Sequence, residues 1–261
     1  MTRAPAAPRP DGGTLVGSGL VVGESADPFA AVAALDGVGA AASHARDAVD
    51  ALLRHPAMRH EAARLAADSA LRGARASTRL AGSDPDDVGD PVLQGALRAT
   101  AEAATLQGIW KRSPGQVLAR LHLLAARDLA ELATLGRPRN GADGARLEQL
   151  IRLVSAPTRA PAVVVAALVH GELRSLAPFG SADGVVARAA ERVVLIALGV
   201  DTLAVSVPEA GHLELRKAYE PLLQAYASGD PTGVPAWVRH CCDAYARGAE
   251  IGLAHASGAP G

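Results

Sequence analysis

The chain has 261 residues, enough to bury a sizeable core as one large domain or a core with an extra lobe. Its 26 Lys and Arg nearly balance 27 Asp and Glu, and with no basic block the net charge of −1 argues against nucleic acid or an anionic membrane as partner. Hydrophobic residues make up 49% and aromatics only 3%, so the core must come from Ala, Leu and Val, which pack closely and favour helix.

In chain order, Met1 to about Asp27 is rich in Pro, Gly and Ala without periodicity, and reads as a disordered tail. Asp27-Pro28-Phe29 begins a short lead-in, and from about Val38 nearly everything reads as helix. Asp90-Pro91 and Ser113-Pro114 each set an N-cap residue before a proline at the first helical position, a strong start signal. Leu118, Leu121, Ala125, Leu129 and Leu132 then recur at helical spacing, which predicts a core stripe on one helix ended by Gly136, as Gly82 ends an earlier one. Asn140-Gly141 is a hairpin dipeptide, but Pro138-Arg139 and Ala142-Asp143 offer no paired strands. Ala145 to Val154 reads as helix.

The expected fold is therefore all-α with about eight or nine helices, divided into a tail over 1–27, an N-terminal helical region over 28–110 and a core over 111–254. The apolar runs Ala160–Val169 and Val193–Val200 fall far short of the ~20 residues a membrane span needs. With no recognisable signal segment, the expected location is cytoplasmic. Only Lys111 and Lys217 are lysines, which together with the Ala and Gly load fits high-GC bacterial coding. The adjacent Cys241 and Cys242 point about 100° apart on a helix, so one buried thiol beside a half-exposed one is expected, with no metal site.

One stretch carries chemistry. Leu176-Ala177-Pro178-Phe179-Gly180-Ser181-Ala182-Asp183-Gly184-Val185-Val186-Ala187-Arg188 resembles the signature of the Fic (Fido) family of nucleotide-dependent transferases, H-P-F-x-[DE]-[GA]-N-G-R-x-x-R. Pro178, Phe179, Ala182, Gly184 and Arg188 fit it. Ala177 stands at the catalytic histidine, Ser181 at the metal-binding carboxylate, Asp183 at the Asn and Val185 at the first Arg. Other elements follow the family's order: Leu121-His122, the turn Gly136-Arg137-Pro138-Arg139, the helix Ala166-Ala167-Leu168-Val169-His170, and a late helix near Trp237. Upstream, Ser77-Thr78-Arg79-Leu80-Ala81-Gly82 resembles the inhibitory motif [ST]-x-x-x-E-[GN], with Ala81 where the family has its glutamate. The chain resembles a degenerate, actinobacterial-type member.

What the resemblance implies is a Fic-like helical bundle with a reduced or absent β-hairpin flap and a phosphate cradle formed by Gly180, Ser181, Ala182, Asp183, Gly184 and Arg188. The ligand so implied is ATP or another nucleotide with Mg. The substitutions imply that catalysis is lost, because a general base is worth roughly 10²–10⁴ in rate. His170, about two turns upstream of Ala177, cannot substitute, and His170 and His122 read as polar members of the core or its edge. His212 and His240 find no place from sequence. Arg188 is open between a phosphate fork and a link to a neighbouring helix. Asp183 either repels an anion or caps the next helix and pairs with Arg188, and the second reading is preferred. The expectation is a Fic-like pseudoenzyme acting through a protein partner, a second copy or a small anion. The alternative is a divergent transferase, moving AMP or a phosphoryl group to a protein hydroxyl with non-standard residues.

Overall fold

The computed structural model of the protein describes residues 27–139 and 142–258, with only the backbone at 142–143. Of the tail expected over residues 1–27, all but Asp27 lies outside the described residues, as does the Asn140-Gly141 dipeptide. The described residues form eleven α-helices and two short 3-10 turns, with no strand among them. The helices are α1 (Pro28–Ala33), α2 (Val38–Leu53), α3 (Ala62–Leu80), α4 (Pro91–Trp110), α5 (Pro114–Ala126), α6 (Ala142–Ser155), α7 (Ala162–Leu176), α8 (Asp183–Ala197), α9 (Pro208–Glu214), α10 (Arg216–Ala227) and α11 (Gly233–Ala256). The count exceeds the expected eight or nine because α1 and α9 have only 6 and 7 residues. Helices of fewer than two turns have no room for a repeating apolar period.

Local chemistry sets the helix starts. The Asp27 side chain accepts from the Ala30 amide, and Asp90 accepts from Val92 and Leu93, each ahead of a proline. Ser113 also precedes its proline, but its side chain makes no cap hydrogen bond. Gly82, at φ +83°, follows the end of α3 as an αL cap.

α7 and α8 form the centre of the bundle. Every residue from Val163 to Leu173 is buried, as is nearly all of α8. A helix buried on all sides must be surrounded, and here α1, α2, α6, α10 and α11 pack on α7, while α3, α4 and α5 pack on α8. The regions separated on sequence at residue 110 share one hydrophobic core that runs from Phe29 to Ala249. Small residues allow the approach. A Cβ added at Gly95 of α4 would lie 2.0 Å from the Ala125 carbonyl oxygen of α5. One added at Gly211 of α9 would lie 1.9 Å from that of Ala244 on α11.

Two sequence expectations fail. α5 ends at Ala126, so Leu118, Leu121 and Ala125 are buried while Leu129 and Leu132 are 39% and 86% exposed. The chain doubles back because the Gly136 amide donates to His122 Nδ1 on the same helix, drawing the segment after α5 across it. Cys242 is as fully buried as Cys241, because α11 is covered on opposite sides by α2 and by α9 and α10. The segment between α5 and α7, where a hairpin flap was expected to be reduced or absent, carries α6.

Candidate functional site

The loop between α7 and α8 is built on left-handed backbone. Ala177 ends α7 at φ +43°, Gly180 follows at +78° and Ala182 precedes α8 at +51°. Such angles are strained for alanine and hold only where the surroundings enforce them. The turn after α5 supplies part of that restraint. The Arg139 amide donates to the Pro178 carbonyl at 2.8 Å, and its guanidinium donates to the Ala177 carbonyl at 2.7 Å. The Gly136-x-x-Arg139 turn and the signature loop are thereby fastened together.

Amides exposed by such a loop at a helix start form a ready anion site. Here the anion is internal. Asp183 Oδ1 accepts from the Phe179 amide at 2.9 Å and Oδ2 from the Gly180 amide at 2.7 Å. Burial pushes the Asp183 carboxyl above its usual range, working against these two amide bonds. Asp183 thus caps the loop, while Arg188 turns elsewhere. Buried at 2% exposure, Arg188 donates from Nε to the Ser77 hydroxyl at 2.8 Å and from Nη2 to the Ser77 carbonyl at 2.9 Å. Its Nη1 reaches the Tyr219 hydroxyl at 3.4 Å.

The remaining candidates are spread along two sides of that knot. Ser77 sits in the buried face of α3, one turn before Ala81, which is exposed at the helix end beside Gly82. Ser181 faces His122, whose Nε2 lies 3.0 Å from the serine hydroxyl. Because His122 Nδ1 accepts from Gly136, Nε2 carries the proton and donates to Ser181. The ring is buried and stacked on Phe179 at 4.2 Å between centroids, and burial lowers its pKa. Gly184 lies beside the Arg188 guanidinium with room for a Cβ. Beyond the loop opens a cleft of about 700 Å³ lined by Thr134, Arg137, Pro138, Arg139, Gly180 and Ser181.

A second polar centre lies deeper, and sequence reasoning missed it. Glu191 of α8, fully buried, accepts from the Tyr245 hydroxyl at 2.6 Å and pairs with His170 Nδ1 at 2.7 Å. Both its oxygens lie 3.2 Å from His212 Nε2. On its far side, His170 Nε2 meets the Tyr219 hydroxyl at 2.7 Å, and His212 Nδ1 faces His240 Nε2 at 3.4 Å. With Cys241, the residues His170, Glu191 and His212 bring four potential ligand atoms within 4.8 Å of one another. Burial drives His170 down to about 4 and His240 to about 3, and pushes the Cys241 thiol well up. Beside this centre, Arg192 forms a two-pronged ion pair with Glu209 at 2.9 and 2.7 Å. Only the sequence A-x-x-x-H had pointed here, and it announced the helix rather than the cluster.

No family model matches the chain, and no curated protein matches it. Among solved structures it is similar to a Fic family protein from Desulfovibrio desulfuricans G20, with a TM-score of 0.66 over 85% of each chain at 16% identity. The fold is Fic-like. No helix among the described residues is long and apolar enough to cross a membrane.

Proposed function

We propose that this chain uses a Fic-like scaffold to bind a protein partner and carries out no nucleotidyl transfer. The observation that supports this most is the carboxylate of Asp183 on the Phe179 and Gly180 amides, where a phosphate would need its donors. The residues present do not fit a nucleotide with magnesium. Ala177 has no base to offer, Ser181 replaces a carboxylate ligand, Val185 replaces an arginine, and Arg188 is buried against Ser77 and Tyr219. An incoming phosphate would meet one negative charge and find the Arg188 fork already engaged. The groups that remain in the motif hold the loop's shape, as Phe179 does beneath His122.

A second reading, small-anion binding, is favoured by Arg137, which is exposed and lines the cleft beside Gly180 and Ser181. Calorimetric titration separates these readings, using ATP with magnesium chloride and, separately, inorganic phosphate. The native chain and the Arg137→Ala and Arg188→Ala variants are compared. No saturable heat from ATP is the expected result. Heat from phosphate that Arg137→Ala removes would favour the second reading. Saturable ATP binding weakened by Arg188→Ala, with transfer of labelled nucleotide to protein, would overturn both.

A further inference from the structure

We propose that His170, Glu191, His212 and Cys241 form a binding site for a single divalent transition-metal ion of the zinc class. Four side chains from four different helices, α7, α8, α9 and α11, converge with their ligand atoms within 4.8 Å of one another, all fully buried. Two imidazoles, one carboxylate and one thiolate are the donor types that suit tetrahedral zinc, with bonds of about 2.0–2.3 Å. Ligand atoms around such an ion stand roughly 3.3–3.8 Å apart, so the widest pair here must close by about 1 Å. The 3.2 Å separations between His212 Nε2 and the Glu191 oxygens come close to that spacing. The 2.7 Å pair of His170 Nδ1 and Glu191 Oε1 needs to open by a fraction of an ångström as the metal replaces the shared proton.

Charge balance points the same way. A carboxylate and a thiolate neutralise a divalent ion, leaving a site of zero net charge in a dry interior. Among the described residues, the Glu191 carboxylate is met by His170, His212 and Tyr245, and by no arginine or lysine. Arg192 is spent on Glu209, and Arg188 on Ser77 and Tyr219. A buried charge without a cation is costly.

The surroundings are those of ligands held for a metal. Each imidazole has its second nitrogen engaged: His170 by the Tyr219 hydroxyl at 2.7 Å, His212 by His240 at 3.4 Å. The Tyr245 hydroxyl donates to Glu191 at 2.6 Å. Such outer contacts fix ring orientation and tautomer, and their loss typically costs about 10–100-fold in metal affinity. Gly211 lets α9 lie against the backbone of α11, which carries the neighbouring His212 into the cluster. With all four ligands closed and no solvent position, the ion would be structural, taken up as the helices assemble.

The test uses the full-length chain. Elemental analysis after purification in metal-free buffer is expected to find about one zinc per chain. Refolding with cobalt chloride should give the visible bands of tetrahedral cobalt and a near-ultraviolet thiolate charge-transfer band. Cys241→Ser should abolish the charge-transfer band, whereas Cys242→Ser should keep it. Tyr219→Phe should raise the dissociation constant for cobalt roughly 10–100-fold. Should Cys241→Ser fail to fold, the native chain and Cys242→Ser still decide the matter. The proposal is overturned if the native chain holds no stoichiometric metal and shows no tetrahedral cobalt spectrum after refolding. It is equally overturned if the spectrum survives in a folded Cys241→Ser with its charge-transfer band intact.

Discussion

The loop from Ala177 to Gly184 joins α7 to α8, the two helices that also carry His170 and Glu191 of the deeper centre, yet loop and centre relate to the sequence in opposite ways. The loop keeps a recognisable order of residues and has its polar groups taken up nearby: Asp183 by two of its own amides, Ser181 by His122 of α5. The centre has no local motif, yet it gathers His170, Glu191, His212 and Cys241, with no arginine or lysine among the described residues bonded to the carboxylate. A motif thus marks where a frame persists, whereas the density of ionisable groups in the core marks where chemistry is concentrated. Arg188 and Tyr219 join the two regions, since Arg188 touches the Tyr219 hydroxyl that also faces His170.

Substitutions can break that contrast or sharpen it. The largest effect is expected at the centre. Gly211→Ala puts a methyl 1.9 Å from the Ala244 carbonyl oxygen, backbone that cannot yield. Overpacking of this kind should cost about 3 kcal/mol in urea unfolding, the upper end of the usual range. A loss under about 1 kcal/mol would mean that α9 is not pressed onto α11, and the centre would lose its distinction.

An intermediate effect is expected where loop meets core. His122→Phe keeps the stack on Phe179 but leaves the Gly136 amide without its acceptor, a loss of about 1–3 kcal/mol. The same variant carries a pH signature. Burial lowers the pKa of His122 in the fold, so the unfolded chain takes up that proton first. Stability from this group is therefore present above its ordinary value of about 6.5 and is lost as pH falls through it. Asp183 works in the opposite sense, because its raised pKa makes the folded chain take up the proton first. Following unfolding between pH 7 and 5, His122→Phe should flatten part of the decline.

The smallest effect belongs to the loop glycine. A Cβ at Gly184 meets only the Arg188 guanidinium at 3.5 Å, so Gly184→Ala should shift stability by no more than about 0.5 kcal/mol. In a working phosphate cradle that glycine would be intolerant, and a large loss on substitution would reopen the contrast.

Much of the fold was legible because its signals are local. Asp90-Pro91 and Ser113-Pro114 mark the starts of α4 and α5, and Gly82 the end of α3. Periodicity misled at Leu129 and Leu132, where side-chain capture of the Gly136 amide ends the helical path early. The loop frame was legible for the same local reason, since Pro178 through Arg188 are contiguous. Which partner Asp183 would choose was not, because Arg188 is drawn away by Ser77, 111 residues upstream. His170 and Cys241 stand 71 positions apart, and nothing short of the packing of α7 against α11 brings them together.

The pairing of α2 with α11 also bears on how the protein is made. Arg239 of α11 donates to the Asp36 carbonyl just ahead of α2, and Gly252 admits Leu52 so closely that a Cβ would lie 2.9 Å from its methyl. On a ribosome adding ~5–20 residues per second, α2 therefore waits roughly 10–40 s for its partner to emerge. Throughout that interval Ala42, Ala45, Val49 and Leu52 have no α11 to cover them, so α2 keeps an apolar face open until α11 emerges from the exit tunnel.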